Sequence, residues 1–262
     1  MMNFNKMVKP GLLTLLAAMM MSSCSNWNIS SNLTVDDGPM ISETRNITAF
    51  EEIEINGSPT IYFTQADTFS VKVKGPKNMV ENIITEKEGD ALVIRNRGKV
   101  GVFNISFDDN DLGVYVTAPD MIGVRLNGSG DFISEKRIDT DNIRIVLRGS
   151  GDIDIKDLIC DHCSIDLIGS GDLHVARLEA HEVESTLIGS GDVGLDLWNV
   201  TDTRLLLKGS GDIDVNFNKG CRFVNCELHG SGDISLKGQV ERFSQKTHGS
   251  GDVDFSQLKV TK

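Results

Sequence analysis

Four groups of residues have types and spacings that could do chemistry. The largest is a carboxylate series, Asp131, Asp152, Asp172, Asp192, Asp212, Asp233 and Asp252, each closing a Gly-Ser-Gly-Asp phrase. Carboxylates brought into line can hold cations through oxygen ligands. They can equally accept hydrogen bonds from the backbone N–H groups of the turns they close. A second acidic run, Asp108-Asp109-Asn110-Asp111, has the ligand types of a calcium loop but not its ordered spacing, so it reads as a polar turn. Cys160-x-x-Cys163, with His162 between, and Cys221-x-x-x-x-Cys226 have spacings that suggest zinc. His229 and His248 lie near Asp233 and Asp252 and are of the types that bind transition metals. There is no nucleophile-elbow, His-Glu-x-x-His or phosphate-loop motif. A serine that recurs seven times also lacks the single special setting that a nucleophile needs.

The elements that must position these groups follow from the phrase itself. Its copies start at Gly128, Gly149, Gly169, Gly189, Gly209, Gly230 and Gly249, steps of 21, 20, 20, 20, 21 and 19 residues. A fixed period near 20 residues marks a solenoid. Two residues before the first glycine stand Leu126, Leu147, Leu167, Leu187, Leu207, Leu228 and Thr247; immediately after the aspartate stand Phe132, Ile153, Leu173, Val193, Ile213, Ile234 and Val253. Positions between such columns are mostly polar, so the phrase is flanked by strands with one face inward. One such unit cannot bury its own apolar face, whereas stacked units can. The expected fold is all-β: a parallel, right-handed β-helix of about seven regular 20-residue coils over residues 121–262. Residues 45–120 read as an irregular β-rich part, in which Asn56-Gly57-Ser58-Pro59 looks like a worn copy of the phrase and Met79 to Ile84 suits a short helix or turn over one end.

This frame decides among the chemical readings. At about 4.8 Å per coil, the two cysteine pairs lie roughly 14 Å apart along the stack, which argues against one shared metal site. Cys163 and Cys226 fall in inward columns and read as core thiols, with Cys160 and Cys221 nearer a loop. Free thiols are the favoured reading, with local disulfides and metal as alternatives. The aspartates are expected to cap the turn backbone, with a cation ladder as the alternative. His229 and His248 share an outward column and read as solvated surface. No catalytic, cofactor or metal residue is therefore assigned. Outward positions that vary from coil to coil, Arg148, Ile168, Ile188, Lys208, His229 and His248, are the candidate contact residues. The last segment, with Lys259 and Lys262, is expected to cap one end and discourage pairing there.

The chain starts with Lys6 and Lys9, an apolar run from Gly11 to Met21, and Ser22-Ser23-Cys24. Residues 1–23 read as a secretory signal peptide rather than a membrane span. Met21-Ser22-Ser23-Cys24 resembles a bacterial lipobox, which implies cleavage before Cys24 and lipid on its sulfur. Residues 24–44 read as that lipidated cysteine and a tether able to reach roughly 65 Å. Cleavage would leave 24 basic against 38 acidic side chains, a net charge of about −14. That balance excludes nucleic acid as a partner. The expected location is the cell envelope, lipid-anchored at the outer membrane, with the periplasmic or surface orientation left open.

The lipobox, the opening Ile47-Thr48-Ala49-Phe50-Glu51-Glu52-Ile53, the strand-turn Ile55-Asn56-Gly57 and the repeated phrases together resemble the auto-transporter adhesin head-like domain family, a domain of unknown function in envelope lipoproteins of Bacteroidetes. The resemblance covers about Arg45 to Val260 and implies a β-helix on the cell envelope with adhesion as its role. It brings no catalytic residue. The expectation is thus a non-enzymatic binding module anchored to the membrane by lipid, with a glycan or protein ligand. A self-associating envelope scaffold is the alternative. A carbohydrate-active β-helix enzyme is the weaker rival, because the acids are spread along one corner and sugar-stacking aromatics are few: Trp27, Trp198, Tyr62 and Tyr115.

Overall fold

A computed structural model describes residues 38–98 and 112–261. The expected signal peptide, Cys24, most of the tether, Trp27, the Asp108 to Asp111 run and Lys262 lie outside the described residues. From Asp37 onward the chain forms one compact unit. Its elements are β1 (Met40–Arg45), β2 (Glu52–Gly57), β3 (Ile61–Gln65), β4 (Ser70–Pro76), α1 (Lys77–Asn82), β5 (Ile83–Glu88), β6 (Ala91–Asn96) and β7 (Gly113–Ala118). The regular part follows as β8 (Gly123–Gly128), β9 (Phe132–Asp139), β10 (Asn142–Gly149), β11 (Ile153–Ile159), β12 (His162–Gly169), β13 (Leu173–Glu179), β14 (Glu182–Gly189) and β15 (Val193–Trp198). It ends with β16 (Val200–Gly209), β17 (Ile213–Gly230), β18 (Ile234–Gly249) and β19 (Val253–Val260).

The regular part is the expected parallel β-solenoid. Strands before each Gly-Ser-Gly-Asp corner pair in parallel from β8 through β10, β12, β14 and β16 to the second halves of β17 and β18. Strands after the corner stack likewise from β9 to β19. Alternation puts every second side chain inside, and where two neighbouring residues both face out the strand turns. Lys156-Asp157 and Asp161-His162 are such places, so each coil has three sides meeting at these two corners and the Gly-Ser-Gly-Asp corner. The columns are closed: Leu126, Leu147, Leu167, Leu187, Leu207 and Leu228 are all fully buried, in a continuous apolar core.

The corner explains its own residues. Gly149 has φ +143°, and a Cβ there would sit 1.9 Å from the Gly128 carbonyl oxygen of the coil below. The Gly128 oxygen instead accepts from Ser150 N–H (2.9 Å) and Gly151 N–H (3.3 Å). A Cβ on Gly151 would lie 1.8 Å from the Gly130 oxygen, so both glycines are forced by the coil spacing. The aspartate carboxylates do the backbone capping. Asp131 Oδ1 accepts from Asp152 N–H (3.2 Å), and the pattern repeats up to Asp233 accepting from Asp252 N–H (2.8 Å). Among the described residues the serine joins this network through its N–H.

The first part of the chain is less simple than a run-up to the coils. β2 lies between β6 and β8, and β3 between β7 and β9, all parallel. The chain lays down one coil, β2 and β3, then builds β6 and β7 beneath it, then crosses to β8 above it. Asn56-Gly57-Ser58-Pro59 is indeed the first corner of the ladder: Gly57 has φ +130°, and its oxygen accepts from Ser129 and Gly130 N–H, both at 3.0 Å. β1, β4 and β5 pair antiparallel with β4, β7 and β6 respectively and close the outer end. α1 places Val80 in the core, close to the expected short helix. β1 starts at Met40, inside the stretch read as tether, because its pairing with β4 gives it a partner that its own composition does not announce.

Candidate binding face

The sheet before the Gly-Ser-Gly-Asp corner presents the candidate contact residues. Register places Asn127, Arg148, Ile168, Ile188, Lys208, His229 and His248 in a single outward column. Ile168 is 39% exposed and Ile188 40%. The sequence reading stopped at this pair. The next outward column brings Val146 and Leu206 close to them, beside Asp166 and Thr186. Val146 is only 3% exposed although its position alternates outward. The missed signal was an apolar residue in the neighbouring outward column of the adjacent coils.

Charges surround this apolar centre. Arg144 bridges to Asp166 at 2.5 Å, and Arg125 to Glu54 at 3.0 Å. Arg204 holds both Glu182 and Glu184, and hydrogen bonds to these carboxylates push its guanidinium above its ordinary pKa. Arg148 and Lys208 flank the two isoleucines in their column and have no acidic partner among the described residues. Farther along, His229 stacks on His248 (centroids 5.0 Å apart) and its Nε2 meets Glu227 Oε1 at 2.6 Å. The histidine contact, then Lys246, holds the Glu227 carboxyl below its usual range. This histidine pair is therefore tied into a surface ion network. The face thus combines cations, carboxylates and a small exposed apolar area.

Among the described residues the cysteines, Cys160, Cys163, Cys221 and Cys226, are free and buried. Cys160 lies beside the corner between β11 and β12, as expected, and faces inward in a column with Ala180. Cys221, expected nearer a loop, lies within β17 and stacks on Val200 and Val240. The two outward residues Asp161 and His162 form the corner and place Cys160 and Cys163 on either side of it, both inward. A side-chain hydrogen bond in which the Cys163 thiol donates to Cys160, then burial, raises the Cys163 thiol well above its ordinary pKa. Burial pushes Cys226 up to about 12. Both are core thiols with little thiolate at neutral pH. Among the described residues no group of three or more His, Cys, Asp or Glu side chains is placed to hold a metal ion. Trp198 is flanked by Arg177 and Lys219, at 5.3 and 5.4 Å from its ring centroid. These cations compete for the ring faces that a sugar would stack on.

Fold and face together define a class: a parallel β-solenoid whose regular coils display a laddered, mixed-charge outer sheet. Within that class the chain belongs to the family described as "Putative auto-transporter adhesin, head GIN domain", whose model matches residues 49–222. Its fold is similar to a crystal structure of a putative adhesin from Bacteroides fragilis NCTC 9343, at 23% identity and TM-score 0.71, over 82% of this chain and 96% of that one. A putative adhesin from Parabacteroides distasonis ATCC 8503 matches at 19% identity and TM-score 0.65, over 83% and 97%. A protein of the same organism described as a putative lipid binding protein matches at 24% and 0.61, over 86% and 98%. No curated protein matches the chain. The family and these neighbours are described as adhesins or binding proteins, not enzymes. No helix among the described residues is long and apolar enough to cross a membrane.

Proposed function

We propose that this chain is an envelope-anchored adhesin-type module that binds a glycan or protein ligand through the outer face of β10, β12, β14 and β16. Residues 1–23 direct export, lipid on Cys24 anchors the chain at the outer membrane, and the following residues hold the solenoid away from the lipid. Several acyl chains on one cysteine give stable anchoring where one alone is marginal. The observation that carries the reading is the exposed Ile168 and Ile188 pair set among unpaired and paired charges on a laddered parallel sheet. Family membership supports adhesion as the role.

The test uses the unit Asp37–Lys262. The crystallised relatives consist almost entirely of this fold, with 96–98% of their length matched, so the unit stands alone. It is applied to a glycan array and to immobilised extracellular-matrix proteins, beside a variant with Ile168→Asp and Ile188→Asp. The expected result is a ligand signal in the parent that falls at least about tenfold in the variant, as loss of a central apolar contact does, with an unchanged melting temperature. No signal on either surface, or a signal that the variant keeps, refutes the reading.

A further inference from the structure

The two ends of the stack are finished differently. Antiparallel strands close the first, but among the described residues β19 pairs only with β18. Asp252 gives its carbonyl to Ile234 N–H, and Thr261 gives its N–H to the Val240 carbonyl, both at 2.9 Å. Backbone groups of successive strand residues point to opposite edges. Counting inward from these two anchors, Val253 and Phe255 on one side of the corner, and Leu258 and Val260 on the other, turn their N–H and C=O groups away from the stack. Phe255 is 44% exposed and Val260 45%, although their columns are buried in the coils beneath. Phe243 lies against Phe255 with centroids 5.3 Å apart.

This edge reads Val-Asp-Phe-Ser-Gln-Leu-Lys-Val. Turned end for end against itself it sets Val253 opposite Val260, Asp254 opposite Lys259, Phe255 opposite Leu258 and Ser256 opposite Gln257. Apolar meets apolar, and negative meets positive twice. A straight strand could not pair about a point between two residues, since facing side chains would fall on opposite sides of the sheet. Here Ser256 and Gln257 are both exposed at a corner, and the register shifts between them and β18. Inward residues therefore oppose inward ones on both sides of it. The edge-directed residues also coincide. Val253 with Val260 and Phe255 with Leu258 become hydrogen-bonded pairs, and Asp254 with Lys259 takes the other position, where side chains approach most closely.

We infer that two copies of this chain dock end to end through β19, about a two-fold axis at Ser256 and Gln257. The interface is isologous and closed, as two-fold dimers are. Lys259, read from sequence as a charge that discourages pairing, is then one half of a symmetric ion pair. The chain enters the fold at β1, at the far end of the stack. If the proposed lipid anchor holds, which is the one point borrowed from the proposed function, the dimer joins two facing membranes rather than neighbours on one.

Sedimentation of the Asp37–Lys262 unit over a concentration series tests the pairing. A monomer–dimer equilibrium is expected. Asp254→Lys puts lysine opposite Lys259 at two symmetric places and should weaken the dimer roughly 10- to 30-fold. Lys259→Asp should do the same, and the double exchange should restore dimerisation. Separately, Ser256→Cys, beside the axis, should yield a disulfide-linked dimer on mild oxidation. A monomer at every concentration, a folded double exchange that stays as weak as the singles, or no cross-link overturns the inference. The result is independent of ligand binding: a monomer that still binds its ligand leaves the proposed function standing, and a dimer without ligand leaves this inference standing.

Discussion

Replacing Gly189 by alanine tests whether the corner phrase is set by coil spacing. Gly189 has φ +146°, and its new Cβ would lie 1.9 Å from the Gly169 oxygen. Real Cβ contacts essentially never fall below 3.0 Å, so the two coils must part locally by about 1 Å. The Gly169 oxygen accepts from Ser190 and Gly191 N–H at 2.9 and 3.3 Å, and that separation breaks both bonds. Two lost backbone bonds cost about 2 kcal/mol, and the disfavoured backbone adds roughly 1–2 kcal/mol. The expected loss is about 3–4 kcal/mol, read in urea as a midpoint lower by roughly 1–2 M. Gly194→Ala is the control. Its Cβ would meet only the edge of the His174 ring at 3.0 Å, and that exposed side chain can move. A Gly189→Ala variant that loses no more than Gly194→Ala would show that the phrase is not imposed by stacking.

Asp172→Ala orphans the Asp192 N–H and should cost roughly 1 kcal/mol by urea denaturation. Asp252→Ala, whose carboxylate accepts from no backbone N–H among the described residues, should cost almost nothing. Alkali should destabilise the fold through Cys226. Its thiol is raised from 9.0 to about 12 by burial, so its contribution is fully present below the unfolded value and is lost as pH rises between the two. About 2–3 kcal/mol should disappear between pH 9 and 11, measured by thermal melts, and Cys226→Ala should flatten that slope.

Much of the fold was legible because a 20-residue period ties each inward position to the one above it. Leu147 and Leu167 could be assigned to one column without knowing where either lay in space. The Gly57 corner was readable for the same reason, since Asn-Gly-Ser-Pro keeps the turn chemistry of the later copies. The placement of β2 and β3 between β6 and β8 was not readable. It depends on which strand edges pair, and a parallel edge carries no local mark of its neighbour. β1 was missed because antiparallel capping asks little of its side chains. On the binding face Ile168 and Ile188 were visible as exceptions in a polar column. Val146 and Leu206 were hidden because each looks like an ordinary strand residue until register sets it beside that pair.

The coil made by β2 and β3 also bears on how the chain resists force. A pull on the N-terminal side first meets β1, paired on one edge with β4. It then meets β2, which is hydrogen-bonded along both edges, to β6 and β8. Peeling β2 away must break two rows of bonds together, whereas a pull from β19 meets one row at a time. Mechanical strength is therefore concentrated at the end where the chain enters the solenoid. A load carried along the N-terminal segment would meet a clamp there and spare the coils that display the outer face.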